Sequence, residues 1–327
     1  MTEINIGSLT LKNNLVMAPL AGYTDWPFRQ ILSKFKCSLA YTEMVSAKAL
    51  SMNHQKTKEL LFFEKTTPSL MHGCQLFGSD VESMTKASQI VQKMGYNAID
   101  INIGCPCPKI IKSGAGSILL TNPMKLSQLL KAMRKVITIA FTAKIRIGWD
   151  QNSMNAVEIA HIIEQEGVDA LFVHGRTRSA GFSGKPNLDK IKEVKERVNI
   201  PLFGNGDIKD VSSAEEMLSQ TGCDGLMIGR YGFEDPSVFN RIDAALNNEL
   251  IPEKPSRKEL LLLLRHLCEK LFIYYGDKRG VFRSKNALLF CLRNFHGAST
   301  MRRQISQFNT QDDFNTFFED QLGRQCN

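Results

Sequence analysis

The sequence predicts an α/β fold, namely an eight-stranded parallel (β/α)8 barrel followed by a small all-helical C-terminal domain. Eight short apolar runs alternate with amphipathic stretches in which apolar residues recur at helical spacing. The runs are apolar on both faces, as the strands of a buried parallel sheet are. Eight such units occupy about 240 residues, the usual size of a TIM barrel. After residue 256 the strand signals stop.

The elements follow one another in regular order. The predicted strands are residues 15–17, 39–44, 70–76, 98–103, 141–145, 170–174, 201–204 and 226–228. The predicted barrel helices are residues 26–35, 81–94, 124–136, 155–166, 188–198 and 214–220. Residues 48–65 are polar with few clear periods, so they predict an irregular helix and loop. The alternative, an open doubly wound sheet, needs a Gly-x-Gly-x-x-Gly turn after the first strand, where this chain has Pro-Leu-Ala-Gly-Tyr-Thr-Asp.

Three segments make up the predicted domain organisation. Residues 1–246 form the barrel, residues 247–256 a linker, and residues 257–327 the helical domain. The linker, NNELIPEKPS, carries two prolines and no periodicity. The predicted tail helices are residues 258–274, 283–294, 300–306 and 311–321, with turns at 276–280 and 295–299.

Composition excludes several classes of protein. The eight cysteines show no disulfide-scaffold spacing, and the N-terminus lacks the cationic start and apolar core of a secretory signal. No apolar run approaches the roughly 18 residues of a membrane span. We therefore expect a cytoplasmic protein without a membrane partner. No apolar surface stripe is left over after the core is assigned, so we expect a monomer.

Positive charge is concentrated in the helical tail. Residues 256–303 hold eleven Lys and Arg against three acids, a surplus that equals the +8 net charge of the whole chain. A basic face with aromatic residues beside it favours a polyanionic partner. An ordinary solvated helical face is the alternative. The cations predicted to hold phosphates include Lys278, Arg279, Arg283 and Lys285.

The segment from residue 100 to residue 120 is the predicted centre of the site. Cys105 follows the end of a β-branched strand, and Pro106 prevents helical continuation. Asn102 can present an amide beside the thiol. One alternative is a buried, inert cysteine. The other is a metal site at Cys105 and Cys107, but structural zinc is usually bound by about four ligands and the other cysteines are scattered along the chain. We therefore expect a catalytic thiol and no metal.

Nearly every predicted strand ends in polar residues, whereas the strand bodies are apolar; the exception is the first strand, which ends in a tight apolar turn. Barrel enzymes build their sites at these positions. They are Pro19, Leu20 and Ala21 after the first strand, then Glu43, Gln75, Asn102, Cys105, Lys144, Arg146, His174, Arg176, Asn205, Gly206, Asp207, Gly229 and Arg230. Gly-x-Gly and Gly-Arg after the last two strands predict a phosphate cradle.

A phosphorylated planar ligand fits this set, and flavin mononucleotide (FMN) is the prediction. Gln75 would bond a pyrimidine edge of the ring, and Lys144 would stabilise negative charge on the reduced ring. His174 would orient flavin or substrate. Taken singly, Lys144 or Gln75 could instead belong to a barrel-mouth salt bridge or rim.

The motifs resemble those of the tRNA-dihydrouridine synthases. The matching segments are MAPLAGYTDWPFR (17–29), TEM (42–44), QLFG (75–78), DINIGCP with KSGAG (100–116), KIRIGW (144–149), HGRTR (174–178), NGD (205–207) and MIGR (227–230). The tail segments YYGDKRGVFRSKN and FHGASTMRRQI resemble the bacterial B-type branch. Three positions depart from the family pattern: Leu20 where Met is common, Cys107 where a small non-thiol is usual, and Phe182 where Tyr is expected.

The resemblance implies an FMN-binding barrel with a helical tRNA-binding domain, which uses NADPH to reduce the C5–C6 double bond of uridine in the tRNA D-loop. It implies hydride transfer from flavin N5 to C6 and proton transfer from Cys105 to C5. The implied flavin contacts are Pro19, Leu20, Ala21, Gln75, Lys144, Asn205, Gly206, Asp207, Gly229 and Arg230. Asn102 and Arg176 match residues near the uracil, and Arg178 lies in the same motif and is counted with them.

Residue chemistry agrees with this implied mechanism. A thiol with a reference pKa of about 8.5 stays mostly protonated at neutral pH, which suits a proton donor. Two rival interpretations remain: a flavin barrel that reduces a small pyrimidine or enone, and an RNA-binding barrel without catalysis. The first should lack the basic tail, and the second should lack the thiol or the flavin cradle.

Overall fold

The computed structural model describes residues 3–64 and 70–323. Its strands are β1 (Ile4–Ile6), β2 (Leu9–Leu11), β3 (Leu15–Met17), β4 (Leu39–Tyr41), β5 (Val45–Ser46), β6 (Met71–Phe77), β7 (Ala98–Ile103), β8 (Ala140–Arg146), β9 (Ala170–His174), β10 (Leu202–Asn205) and β11 (Gly225–Ile228). Lys65, the last residue of the predicted irregular segment, and residues 324–327 of the predicted tail lie outside the described residues.

Helices separate the strands and make up the tail. They are α1 (Trp26–Leu32), α2 (Ala47–Ser51), α3 (Gln55–Glu59), α4 (Val81–Lys93), α5 (Pro108–Lys112), α6 (Pro123–Arg134), α7 (Ala156–Gln165), α8 (Leu188–Lys195), α9 (Val211–Thr221), α10 (Arg230–Glu234), α11 (Val238–Leu246), α12 (Arg257–Cys291), α13 (Ala298–Ser306) and α14 (Gln311–Gly323), with 3₁₀ turns at Gly116–Thr121 and Leu292–Asn294. None of the helices in the described ranges is long and apolar enough to cross a membrane.

The strands from β3 to β11 form a closed parallel barrel. The strands from β6 to β11 pair in chain order, while β4 pairs with β3 and with β6, and β5 pairs with β6. β11 pairs with β3 in register Leu226↔Leu15, which closes the ring. Large apolar side chains fill the space between strands and helices, and a second apolar cluster fills the barrel interior. The predicted TIM barrel with a helical tail is therefore confirmed.

The second barrel strand is interrupted, which the sequence did not predict. β4 and β5 both pair with β6, but the strand pairing is interrupted over residues 42–44, where the Thr42 N–H still donates to the Gly73 carbonyl at 2.9 Å. The side-chain oxygen of Thr42 accepts a hydrogen bond from the backbone N–H of Gln75 at 3.2 Å, in place of a strand carbonyl. The interruption, which resembles a bulge, places Glu43 and Met44 at the carboxyl end of the barrel.

A hairpin at the N-terminus covers the opposite end of the barrel. β1 and β2 pair antiparallel, and Ile6 and Leu11 are fully buried against the interior cluster that includes Phe172 and Phe203. The sequence pattern does not predict this hairpin, because each strand has only three residues. The interior is closed below, so a ligand must enter at the carboxyl ends of the strands.

The tail helix α12 contains one sharp break. Gly276 has φ 68° and ψ 178°, a conformation that glycine adopts without a Cβ clash. The predicted turn over 276–280 is wrong in extent, because the chain returns to helix after Gly276. Gly280 serves packing instead, since a Cβ there would lie 2.7 Å from the ring of Phe272.

Ion pairs and a tyrosine dock the tail beside the barrel mouth. Arg283 donates to Glu43 at 2.9 Å, and Arg279 donates to Glu59 at 2.8 Å. The Tyr275 hydroxyl donates to the carboxylate of Asp25 at 3.1 Å. These contacts place α12 next to the carboxyl ends of the strands.

Asp25 at this junction should make stability depend on pH. Burial, followed by the nearby Glu43 carboxylate, raises the pKa of Asp25 from 3.8 to about 6. A raised native pKa means that protonation stabilises the folded state, so this contribution is complete below about pH 4 and is lost as pH rises through about 6. Relative to Asp25→Asn, the wild type should lose roughly 2–3 kcal/mol of unfolding free energy between about pH 4 and 7.

Urea unfolding of both proteins across this range measures that difference. A difference that stays constant with pH would show that Asp25 titrates normally in the folded protein.

Candidate active site

Most of the predicted strand-end residues, though not Glu43 or Arg176, line one cavity with about 950 Å³ of open space, its solvent-filled mouth included. Its lining includes Ala18, Pro19, Leu20, Ala21, Met44, Gln75, Asn102, Gly104, Cys105, Lys144, Arg146, His174, Phe182, Asn205, Gly206, Asp207, Gly229, Arg230 and Tyr231. All eleven predicted cofactor contacts, together with Asn102 and Cys105, lie in this set. The structure therefore brings together residues that are more than 200 positions apart in sequence.

A chain of hydrogen bonds runs from the barrel interior to the cavity. Gln75 donates through Nε2 to the buried carboxylate of Asp100 at 2.7 Å. Asn102 donates through Nδ2 to Gln75 Oε1 at 2.8 Å and lies 3.1 Å from the sulfur of Met44. Asn102 Oδ1 accepts the backbone N–H of Cys105 at 2.9 Å. The two amides are thus fixed in orientation.

The thiol of Cys105 lies at the cavity on a tightly held turn. The carbonyl of Cys105 accepts hydrogen bonds from the backbone N–H of Ser117 at 3.1 Å and from its hydroxyl at 2.9 Å. Gly116 has φ +69°, and a Cβ there would lie 2.9 Å from the Cys105 carbonyl oxygen. Burial is the main effect that raises the pKa of Cys105. The sulfur therefore stays a protonated thiol at neutral pH rather than a thiolate.

Cations dominate the neighbouring wall, which β8 forms beside β7. Lys144 and Arg146 are two residues apart on β8, so both side chains face the same side of the strand. Burial, followed by the charge of Arg146, lowers the pKa of Lys144 to about 8. The Lys144 ammonium donates to Asn205 Oδ1 at 2.9 Å. Burial also lowers the pKa of His174 well below 6.5, and the surrounding cations add to this, so His174 is neutral.

Arg146 joins two loops at the cavity rim. Its guanidinium donates to the carbonyls of Gly104, Thr177 and Gly181 at 2.8 to 2.9 Å. Arg146 is one of the predicted strand-end residues, but its position in the sequence predicts no role for it. The alternation of side chains along β8 could have predicted that Arg146 lies at the cavity, because residues two apart on a strand point to the same side and Lys144 points to the cavity.

Glycines and Arg230 form the last part of the wall. At Gly229 a Cβ would meet no atom within 4 Å, so the bare backbone borders open space. Arg230 donates to Asp207 Oδ1 at 3.1 Å, and its guanidinium lies 4.4 Å from the ring centroid of Phe182. Phe182 is 58% exposed and lines the cavity.

Several predicted substrate residues do not line the cavity. Arg176 is 3% exposed, pairs with Asp207 and donates to the carbonyls of Ser183 and Gly184. Arg178 packs over the ring of Trp149, with 4.5 Å between its guanidinium carbon and the ring centroid. Their roles as substrate contacts stay predictions, but in this structure both arginines hold loops.

The tail residues divide into two groups. Arg279 and Arg283 pair with barrel carboxylates, and Lys285 donates to the carbonyl of Ser306 at 2.9 Å. Lys278 is exposed and has no ion pair among the described residues. Charge counting identified the basic tail but not which cations the barrel neutralises.

Comparison with known proteins identifies the family. A family model described as dihydrouridine synthase matches residues 16–326. The chain belongs to the dihydrouridine synthase family. The predicted membership and the predicted oxidoreductase class are thereby confirmed.

The relatives support the B-type bacterial branch. The chain is 35% identical to tRNA-dihydrouridine synthase B of Pseudomonas aeruginosa over 313 residues, which covers 95% of this chain and 93% of the relative. It is 38% identical to tRNA-dihydrouridine synthase B of Pasteurella multocida over 277 residues, which covers 85% and 83%.

Solved structures share the fold of this family member. Morphinone reductase in complex with tetrahydroNAD aligns with a TM-score of 0.54 and 14% identity, covering 79% of this chain and 93% of that one. The 6-hydroxypseudooxynicotine amine oxidase of Pseudomonas geniculata aligns with a TM-score of 0.60 and 13% identity, covering 82% and 52%.

Proposed function

We propose that the protein is an FMN-dependent tRNA-dihydrouridine synthase that uses NADPH to reduce the C5–C6 double bond of uridine in the tRNA D-loop. The observation that carries the proposal is the meeting of a protonated thiol, a buried lysine and a glycine-arginine wall in one cavity. The relatives named above act on tRNA, which supports the substrate. The chain is proposed to act as a monomer.

The cavity fits a phosphorylated planar ligand. The lining holds three cations, Lys144, Arg146 and Arg230, and one carboxylate, Asp207, and this positive surplus favours a phosphate. Bare backbone at Gly229 leaves room for close approach of a phosphate to the chain. Lys144 has one hydrogen-bond partner among the described residues, Asn205, so donors remain for a ligand.

FMN bound in this cavity would supply the hydride that a uracil ring accepts at C6. Gln75 keeps one amide N–H for the ring edge, and Lys144 holds a positive charge where a reduced ring is negative. Asn205 positions the Lys144 ammonium by accepting its hydrogen bond. Cys105 donates a proton to C5, because its raised pKa keeps the sulfur protonated until carbanion character develops at that atom. Asn102 holds the turn that carries the thiol.

The charged tail would hold the RNA while the base is unstacked. A base in folded RNA must leave its stack to enter a barrel mouth. No acidic residue occurs between Lys278 and Gln311, and the three arginines of that segment with carboxylate partners pair with the barrel. Lys278, Arg302 and Arg303 are exposed and without ion pairs in the described ranges, so they are the proposed phosphate contacts.

The phosphate cradle is tested by comparing FMN with riboflavin, which lacks the phosphate. Arg230→Met should weaken FMN binding by roughly tenfold to a hundredfold, because a charge-assisted contact to phosphate is lost. Riboflavin affinity should be equal in the wild type and the variant. Flavin fluorescence quenching during titration of the flavin-free protein measures both affinities.

Two results would contradict this assignment. If wild-type protein binds neither flavin, the cavity serves another ligand. If Arg230→Met weakens both flavins equally, the arginine contacts the ring portion or supports the wall rather than the phosphate.

A further inference from the structure

Asp100 lies at the interior end of the hydrogen-bond chain but does not line the cavity. It is fully buried on β7, with no exposed surface. Its carboxylate accepts Gln75 Nε2 at 2.7 Å and the Thr142 hydroxyl at 2.8 Å. The Thr142 hydroxyl in turn lies 2.8 Å from the hydroxyl of Tyr41. A buried carboxylate costs free energy, and core packing alone does not require one here.

The two ends of a side-chain amide have the same shape but opposite hydrogen-bonding roles. A carboxylate can only accept, so Gln75 must turn its NH₂ group toward Asp100. Its oxygen then faces Asn102, which must present its own NH₂ group at 2.8 Å. Each link fixes the polarity of the next one.

The last link reaches the turn that carries the reactive sulfur. Because Asn102 Nδ2 is committed to Gln75, its oxygen faces the backbone, where it accepts N–H groups of Gly104 at 3.2 Å and Cys105 at 2.9 Å. If the amides of Gln75 and Asn102 were both flipped, the NH₂ group of Asn102 would face these two N–H donors. The reversed arrangement therefore leaves the Cys105 turn without its acceptor.

We infer that Asp100 is a positioning residue whose carboxylate sets the orientation of the Gln75 and Asn102 amides and thereby fixes the turn that holds the Cys105 thiol. The inference concerns the unliganded protein. Its catalytic consequence, slower proton delivery, rests on the function proposed above.

Asp100→Asn is the decisive substitution, because it keeps the shape and removes the fixed polarity. An asparagine amide can donate to Gln75 Oε1 as well as accept from Nε2, so both polarities of the chain become available. The exchange of the Gly104 and Cys105 amide hydrogens should accelerate by about tenfold or more, as their acceptor is present only part of the time. Mass spectrometry of the segment 100–112 at about pH 8 measures this, with the Asp100 carboxylate ionised because its pKa is raised only to about 7.

Cys105 alkylation by iodoacetamide gives a second readout in the flavin-free protein. Both proteins carry Cys107→Ser. In the Asp100→Asn protein, iodoacetamide should alkylate Cys105 at least about three times faster than in the protein that keeps Asp100, because the loosened turn exposes the sulfur more often. Asp100→Ser is a second variant for the same measurements, should the asparagine protein fold poorly.

Tyr41→Phe is the matched control. It removes one buried hydroxyl from the same barrel interior and leaves Asp100 with Gln75 and Thr142. Its exchange at Gly104 and Cys105 should stay at the wild-type rate. The inference is overturned if Asp100→Asn leaves both readouts unchanged, if exchange rises equally across the barrel helices, or if Tyr41→Phe gives the same local change.

These measurements are independent of the proposed activity. A protein that fails to reduce uridine can still show the local exchange effect, and a working enzyme can lack it. In the active enzyme, Asp100→Asn should lower kcat while RNA affinity stays the same.

Discussion

Replacement of Cys105 by alanine should lower the rate of dihydrouridine formation by about 10² to 10⁴-fold, the usual contribution of a general acid. The variant should still bind FMN and still be reduced by NADPH, since the flavin-facing wall is untouched. The physical reason is that burial raises the pKa of Cys105, which keeps the sulfur protonated at the cavity as the proposed proton donor to C5. Single-turnover reaction of the reduced enzyme with unmodified tRNA, read by mass spectrometry of the nucleosides, gives the rate.

Cys107→Ala is the matched control for that experiment. Cys107 is an exposed thiol two positions from Cys105 and does not line the cavity. Its replacement should change the rate by no more than about twofold. A Cys105→Ala enzyme that forms product at the wild-type rate would assign the proton to another donor.

Neutralising the unpaired tail cations should produce the largest loss of RNA affinity. In a protein carrying Lys278→Gln, Arg302→Gln and Arg303→Gln, affinity for tRNA should fall by roughly tenfold or more, and the slope of log K against log salt should fall by about 2 to 3. The lost contacts are phosphate contacts, so counterion release decreases with them. Filter binding or fluorescence anisotropy at several salt concentrations measures both quantities.

The chain offers a control of equal charge at the other end of the barrel. Lys12 lies between β2 and the first barrel strand, and Lys93 and Lys131 lie near the carboxyl ends of α4 and α6. All three are exposed, and their triple replacement by glutamine should leave the salt slope near the wild-type value. Equal losses in the two triple variants would mean that net charge, rather than the tail, attracts the RNA.

Sequence patterns predicted the barrel well because its strands are short, apolar and regularly spaced. The interruption at residues 42–44 escaped prediction, since Thr42 replaces a backbone acceptor with a side-chain oxygen and apolar periodicity does not record this. Gly280 was assigned to a turn because a glycine can end a helix or admit a close neighbour. The neighbour, Phe272, is visible only in the folded chain.

The site was predictable where residues follow strand ends and unpredictable where pairing decides the role. Lys144 and Arg230 could be placed at the cavity from topology alone. In the sequence, Arg279 and Arg283 look like Lys278, a cation in a basic helical segment. Their ion-pair partners, Glu59 and Glu43, lie over 200 residues away in sequence, so the pairing could not be predicted. Asp100 was missed as well, because its influence passes through two amides before it reaches the cavity.

The most direct test of the account is the reaction itself, run with purified flavin-loaded protein, NADPH, and either an unmodified tRNA transcript or free uridine. We predict dihydrouridine in the D-loop of the transcript and almost none from free uridine, because the tail must hold the RNA before a base enters the cavity. A flavin-loaded protein that leaves the transcript unchanged, or that reduces free uridine equally fast, would contradict the account.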